Sequence, residues 1–166
     1  EETTTLCLVP AVRKAIDVPL VAAGGIGSGE AIAAALMLGA DGVQIGSRYV
    51  ATPESSAHPL FKSKILDAKE GDTHLALKGL TPVRLLDNPF ARHVKTAETR
   101  GDGLEDLREL LGRGRAKKGM FEGDLEEGEL EIGQVSSLIN EIKPVQEIVK
   151  EIVLEYEKGK QELCRY

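Results

Sequence analysis

The first 70 residues alternate between short apolar segments and segments in which apolar residues recur at helical spacing. Two segments, 18–23 and 41–51, predict strands, and the continuous apolar character of the first predicts a strand covered on both faces. Helical spacing predicts helices over 8–16, 30–39 and 58–69. Because strands that alternate with helices form βα units around a parallel sheet, this part of the chain is predicted to be α/β.

Residues with known preferences at helix ends support these boundaries. Ser28 is predicted to be the N-cap of the helix over 30–39, with Glu30 in the first turn and Gly39 at the end. Residues 52–54, Thr-Pro-Glu, predict a further helix start.

The pattern changes beyond residue 72, which divides the chain into the βα units of 1–72 and a mainly helical extension over 73–166 in which no strand is predicted. A short amphipathic helix ends at Gly112, an acidic loop occupies 121–133, and two helices meet at Pro144. The last helix carries one apolar stripe: Val145, Ile148, Val149, Ile152, Val153 and Tyr156. This stripe is predicted to pack against the rest of the protein, and pairing into a homodimer is the second interpretation.

Composition and charge restrict the class of protein. Hydrophobic residues make up 42% of the chain and Trp is absent, so an aliphatic core is expected. The formal net charge of −6 disfavours nucleic acid and an anionic membrane as partners. No apolar run in the sequence is long enough to span a bilayer. Cys7 and Cys164 lie near opposite ends of the chain without a CxxC partner, which indicates neither a disulfide framework nor a zinc site, so we expect a reduced, cytoplasmic protein without a metal.

Small residues follow both predicted strands: Ala23, Gly24 and Gly25 after the first, Gly46 and Ser47 after the second. The first turn fits a dinucleotide-binding G-x-G-x-x-G loop poorly, because an acidic residue takes the place of the third glycine, and no Gly-Lys-Ser/Thr follows as in a triphosphate loop. In barrels of alternating strands and helices, backbone N–H groups at two successive turns bind phosphate. A phosphate site over both turns is therefore predicted, with a tight turn that binds nothing as the alternative.

The segments AAGGI, GADGVQIGSR and ESSAHP resemble the C-terminal barrel strands of a flavin-dependent family. That family contains the nitronate monooxygenases and the FMN-dependent enoyl-acyl-carrier-protein reductase II enzymes, and the resemblance is close over residues 1–69. It implies that 1–72 forms the C-terminal part of a TIM-type (β/α)8 barrel, followed by the helical extension. It also implies that the cofactor is FMN, with its phosphate held by Ala23, Gly24, Gly25, Gly46 and Ser47. Ser47 stands where relatives commonly carry Thr, which keeps the hydroxyl.

Residues 121–139 resemble the reductases more loosely and favour that branch, with Gln134 near the active site. The resemblance then implies an NADH- or NADPH-dependent oxidoreductase of fatty acid synthesis that acts on an acyl thioester, with an acyl carrier protein as partner. The alternative is a nitronate monooxygenase that oxidises small alkyl nitronates with FMN and O2. Two further alternatives are a non-catalytic phosphate-binding half-barrel that needs a partner chain, and a barrel acting on another phosphorylated ligand.

The catalytic His of the family lies in a Gly-Gly-His-x-Gly segment, which is expected upstream of Glu1. No catalytic residue is therefore assigned within this chain. His58 precedes Pro59 at a predicted helix start, which favours a surface or capping role over catalysis, and His74 and His93 have no partners at ligand spacing. The basic run 113–118 is predicted to be a solvated turn that balances the acidic loop, with contact to a nicotinamide cofactor or an acidic carrier protein as the alternative.

Overall fold

The computed structural model describes residues 3–165, apart from the side chain of Leu163. Glu1 and Glu2, with which the resembling segment begins, lie outside the described residues. The chain forms two compact units, one from the residues up to 54 and from 143 onward, the other from residues 55–142. These units differ from the domains predicted from the sequence, which are divided after residue 72. The assignment of 1–72 to barrel βα units and of 73–166 to a helical extension stays a prediction.

The first unit contains a parallel βαβ arrangement, as the sequence predicts, but the second strand is shorter than the predicted 41–51, because it ends at Gln44 and residues 47–50 form a short helix. Its elements are α1 (Thr5–Arg13), β1 (Val21–Ala23), α2 (Gly29–Met37), β2 (Gly42–Gln44), α3 (Ser47–Val50) and α7 (Val145–Leu163). β1 and β2 are parallel, with Val21 opposite Gly42 and Ala23 opposite Gln44. α7 packs against α2.

The core of the first unit covers only one face of β1. It is built from Val9, Ala22, Ile26, Ala35 and Ala40. Ala22 points into this core, whereas Val21 on the other face is 57% exposed. Because successive strand residues point to opposite faces, a strand can be covered on both only when a second layer lies against it. The prediction that β1 is covered on both faces is therefore wrong for the described residues.

The second unit combines helices with a β-hairpin. Its elements are α4 (Pro59–Leu66), β3 (Thr73–Ala76), β4 (Val83–Leu86), α5 (Pro89–Arg100), α6 (Leu104–Leu111), a π-helical turn (Lys117–Phe121) and a 3₁₀ turn (Gln134–Leu138). β3 and β4 are antiparallel, with Ala76 opposite Val83. The expectation that no strand follows residue 72 is wrong. Gly79 and Pro82, which interrupt the pattern in sequence, lie in the connection between the two strands.

A compact apolar core joins the hairpin to α5 and α6. Its buried members include Leu77, Leu85, Phe90, Val94 and Leu107. α6 ends before Gly112, as the sequence predicts. The amphipathic spacing of α5 and α6 therefore marks the faces that the hairpin covers.

Two of the three predicted helix boundaries are confirmed. Ser28 caps α2, since its Oγ accepts a hydrogen bond from the Ala31 N–H at 3.2 Å, and Gly39 follows the helix with a φ of +102°. No helix begins at residues 52–54. There, Thr52 Oγ1 donates to the Tyr49 carbonyl at 2.8 Å, and the Glu54 carboxylate accepts from the Val145 N–H of α7 at 3.0 Å. These polar side chains therefore serve other elements.

The prediction for His58 is confirmed. His58 precedes α4, and its Nδ1 accepts a hydrogen bond from the Leu60 N–H at 3.2 Å. The helix therefore begins at Pro59, where a proline loses no helical hydrogen bond. Among residues 3–165, none of the helices has the length and apolar character needed to cross a bilayer.

Candidate functional site

The five predicted phosphate-binding residues lie at one edge of the β1–β2 pair. β1 ends at Ala23 and β2 ends at Gln44, and the parallel register pairs these two residues. Gly24 and Gly25 follow the first strand directly, whereas Gly46 is the second residue after β2 and leads into α3. Because the strands are parallel, both turns leave the sheet at the same edge, and the structure brings the two halves of the predicted site together.

Glycine is required at the first turn. Gly24 and Gly25 have φ angles of +100° and +74°, which side-chain-bearing residues adopt at a cost. Within residues 3–165, no atom outside the glycine's own chain neighbours lies within 4 Å of where a Cβ on Gly25 would stand. The Thr5 Oγ1 donates a hydrogen bond to the Gly24 carbonyl at 3.0 Å. This carbonyl is thus held toward α1, while the exposed side of the turn is open to a ligand.

The second turn has a similar open side. Gly46 is exposed and precedes α3, and no described atom outside Gly46 and its chain neighbours lies within 4 Å of a Cβ built on it. Ser47, the first residue of α3, is half-buried. Gly25 and Gly46 therefore offer backbone that a ligand can approach closely, and Ser47 contributes a hydroxyl beside it.

The N-terminus of α2 is already occupied by a carboxylate of the protein. The Gly29 N–H donates to Glu155 Oε2 of α7 at 2.8 Å, and Ser28 accepts from the N–H of Ala31. A carboxylate at this position accepts a hydrogen bond from an amide that has no partner within the helix, and its negative charge interacts favourably with the helix dipole. An anion bound at the edge of the sheet would be repelled from the α2 N-terminus, so the candidate site consists of the Gly24–Gly25 turn and the Gly46–Ser47 turn.

Arg48, whose role has no signal in the sequence, links the strand-end segments to α7. Its Nη1 donates to the Gly27 carbonyl at 3.3 Å and its Nη2 contacts Glu151 Oε2 at 2.9 Å. Lys143 also pairs with Glu151, and the Lys143 hydrogen bond, followed by the charges of Lys143 and Arg48, holds the pKa of Glu151 below its usual value. The sequence contains no signal for this contact because Arg48 and Glu151 are 103 residues apart.

The histidines and acidic residues form no metal centre within residues 3–165, where no group of three or more His, Cys, Asp or Glu could hold a metal ion. His74 lies on β3, with its Nε2 buried and no hydrogen-bond partner among the described residues. His93 lies exposed on α5. Gln134 opens the 3₁₀ turn of the second unit, and its proximity to an active site stays a prediction.

The basic run pairs with the acidic loop. Three ion pairs, each at 3.1 Å, join the runs: Arg115–Glu127, Lys117–Glu122 and Lys118–Asp124. Arg115 also donates to the Leu110 and Leu111 carbonyls and lies 4.4 Å from the centre of the Phe90 ring. These contacts support the interpretation of a balancing turn, since three of the cations are engaged within the second unit.

Part of the acidic loop is buried. Gly128, Glu129 and Leu130 lie inside the second unit, and the Leu130 carbonyl accepts from the Leu86 N–H of β4 at 2.9 Å. This part of the acidic loop is therefore packed into the second unit and shielded from solvent. Burial raises the pKa of Glu129, the nearby Glu131 carboxylate raises it further, and Arg115 opposes both effects.

Glu129→Gln is expected to stabilise the protein near neutral pH. The raised pKa means that folding favours the protonated carboxyl, so its contribution is full below the unfolded value near 4.5 and is lost as pH rises through the folded pKa. Glutamine keeps the shape without the buried charge, and its advantage should disappear below pH 4.5. Urea unfolding at pH 4 and pH 8 measures this. Glu126→Gln, an exposed carboxylate in the same loop, is the control, and an equal gain for Glu129→Gln at both pH values would contradict the prediction.

Comparison with known proteins identifies relatives along nearly the whole chain. The family profile described as nitronate monooxygenase matches residues 1–155. A probable nitronate monooxygenase of Bacillus subtilis is 50% identical over 70 residues, which is 42% of this chain and 20% of that protein.

Solved structures match over a longer stretch. FabK from Thermotoga maritima is 40% identical with a TM-score of 0.92, covering 100% of this chain and 53% of that one. Nitroalkane oxidase from Streptomyces ansochromogenes is 34% identical with a TM-score of 0.75, covering 96% of this chain and 45% of that one. The chain thus spans about half the length of these two proteins.

Proposed function

The chain belongs to the nitronate monooxygenase family, and we propose that it contributes the flavin-phosphate end of an FMN-dependent oxidoreductase. In this proposal, β1 and β2 are C-terminal strands of a TIM-type barrel. Phosphate sites in such barrels lie at the carboxyl ends of the last strands. The observation that carries the proposal is the pair of glycine turns at one edge of a parallel strand pair, Gly24–Gly25 and Gly46–Ser47.

The chemistry of the two turns fits the phosphate of FMN. A phosphate monoester presents oxygens that accept hydrogen bonds, and both turns offer backbone N–H groups with a hydroxyl at Ser47. Gly25 and Gly46 lack the Cβ that would fill the open side of each turn. When bound, FMN supplies hydride and electron transfer. The residues of this chain bind and orient its phosphate, and the catalytic residue is expected in the Gly-Gly-His-x-Gly segment of the family.

Gly25→Ala is expected to weaken FMN binding at least tenfold, because the new Cβ occupies the space proposed for the phosphate. The matched control is Gly71→Ala in the second unit. Gly71 also has a positive φ, +88°, and no described atom beyond its neighbours within 4 Å of a Cβ. Both variants should lose about 1 kcal/mol of stability from backbone strain, and only Gly25→Ala should lose FMN affinity. The measurement is quenching of flavin fluorescence on titration of the flavin-stripped protein.

Equal FMN affinity in the two variants would place the phosphate elsewhere and refute the proposed site. A purified protein that stays colourless after soaking in FMN would instead support a non-catalytic phosphate-binding half-barrel.

Within the family, we favour the enoyl-acyl-carrier-protein reductase II branch, with NADH or NADPH as electron donor and an acyl thioester as substrate. Support comes from the reductase-like segment 121–139 and from the FabK structure, which covers the chain over its whole length at 40% identity. The family profile and the nitroalkane oxidase structure favour the alternative, oxidation of alkyl nitronates with O2.

Two substrates separate these branches. Anaerobic oxidation of NADH or NADPH by the purified protein is measured with crotonyl thioester and, in parallel, turnover of propyl nitronate is measured in air without a nicotinamide. Thioester-dependent oxidation of the nicotinamide supports the reductase. Nitronate turnover without a nicotinamide supports the monooxygenase and overturns our preference.

A further inference from the structure

Three carboxylates form hydrogen bonds or ion pairs between the C-terminal helix α7 and the segments that follow β1 and β2. Glu54, a few residues after α3, accepts from the Val145 N–H at the start of α7. Glu155 of α7 accepts from the Gly29 N–H at the start of α2, and Glu151 of α7 pairs with Arg48 of α3. α7 therefore contacts the segments that follow both β1 and β2.

Arg48 lies where these connections meet the proposed phosphate site. It follows Ser47 of the second turn directly, and its guanidinium donates to the carbonyl of Gly27, which lies between the first turn and α2. A second guanidinium nitrogen is engaged by Glu151 of α7. The planar, five-donor guanidinium can hold both acceptors at once, which a lysine ammonium cannot do in the same geometry.

α7 is itself held firmly at this position. A Cβ on Gly29 would lie 2.6 Å from the Cβ of Glu155 and even closer to the Ile152 carbonyl oxygen, so the two helix backbones are in direct contact. The Arg48 side chain is only 18% exposed, and Glu151 is additionally bound by Lys143. Glu151 is therefore a fixed anchor for the guanidinium.

We propose that Arg48, anchored by Glu151, is a positioning residue that sets the spacing of the two glycine turns for a flavin phosphate. This inference rests on the proposed function. A phosphate bound by amides of both turns depends on their separation, so loss of the link from Arg48 to Gly27 weakens phosphate binding although Arg48 need not touch the phosphate. α7 thereby becomes part of the cofactor site.

The test compares FMN with riboflavin, which has the same ring system and lacks the phosphate. Affinities of the flavin-stripped protein for both are measured by fluorescence quenching in Arg48→Met, Arg48→Lys and Glu151→Ala. We expect the ratio of FMN to riboflavin affinity to fall about tenfold in Arg48→Met and Glu151→Ala. A factor of this size is typical when a residue that orients the ligand-binding groups is removed. Because a lysine can engage only one of the two acceptors at a time, Arg48→Lys should recover only part of the ratio. Circular dichroism of each variant confirms that it is folded.

Arg13→Met is the matched control. Arg13 pairs with Asp41 at 3.1 Å, and Asp41 accepts from the Leu20 N–H, so this ion pair lies at the opposite ends of the same two strands. Its removal should leave the FMN-to-riboflavin ratio unchanged.

Three outcomes overturn the inference. FMN affinity that is kept or increased in Glu151→Ala would mean that Arg48 contacts the phosphate directly. Equal losses of FMN and riboflavin in Arg48→Met would mean a general structural role. A fall of the ratio in Arg13→Met as well would mean that any ion pair of this unit has the effect. A wild-type protein that binds FMN no more tightly than riboflavin would instead refute the proposed function itself.

Discussion

Gly29→Ala should lower the free energy of unfolding by about 3 kcal/mol, the upper end of the usual cost of overpacking. Gly29 is the first residue of α2, and a Cβ there would lie far inside van der Waals contact with the Tyr156 backbone nitrogen and the Ile152 carbonyl oxygen. Backbone atoms cannot rotate away as a side chain can, so α7 has to move off α2. Urea unfolding followed by circular dichroism measures the loss.

Gly159→Ala tests the same interface with the opposite expectation. Gly159 lies in α7, and its Cβ would stand 3.8–3.9 Å from Glu30 and Ala33 of α2, which is ordinary contact. Because alanine favours a helix interior by about 1 kcal/mol over glycine, this variant should be as stable as the wild type or more stable. Similar losses in Gly29→Ala and Gly159→Ala would contradict the close approach at Gly29.

Asn88→Ala should also cost about 3 kcal/mol, because it removes a helix cap and leaves buried polar groups unpaired. Asn88 is 4% exposed and caps α5, where its Oδ1 accepts from the Ala91 N–H at 2.8 Å. Its Nδ2 donates to the Leu125 carbonyl at 3.0 Å and to the Gly128 carbonyl at 2.8 Å. One side chain thus joins the start of α5 to the acidic loop.

Asn88→Asp separates the two functions of this side chain. Aspartate keeps the capping acceptor but places a carboxylate oxygen against two carbonyls. At pH 8 it should be at least as destabilising as Asn88→Ala, and its stability should partly recover as the pH falls and the carboxyl regains a proton to donate. Ser28→Ala, which removes a cap on α2, serves as the reference for a cap alone, about 1 kcal/mol. An Asn88→Asp protein as stable as the wild type at pH 8 would show that the two donated hydrogen bonds contribute nothing.

The prediction of the candidate site depended on local sequence. The apolar run into Ala23, the cap at Ser28 and the glycine at Gly39 are interactions between residues a few positions apart, and the structure confirms the strand and both helix ends. The assignment of phosphate binding to Ala23, Gly24, Gly25, Gly46 and Ser47 stays a prediction. What supports it is the parallel register, which follows once β1 and β2 are joined by a helix.

Predictions from local sequence were wrong where a residue interacts with a distant part of the chain. The Thr-Pro-Glu of residues 52–54 has the chemistry of a helix start, yet Glu54 caps α7, 91 residues away in sequence. The hairpin β3–β4 lacked a clear alternation because both Leu85 and Leu86 are buried. In each case the neighbour that determines the role of the residue lies elsewhere in the chain.

The short-range preferences of glycine, serine and aliphatic residues are therefore sufficient to define the βα pattern and the two turns, since their causes lie within one or two turns of chain. The contacts that we propose to set the spacing of those turns have distant causes: Arg48 with Glu151, and Gly29 with α7, join segments more than 100 residues apart. They arise only when α7 packs on α2, because that packing brings Glu151 and Glu155 to the turns and excludes any side chain at Gly29.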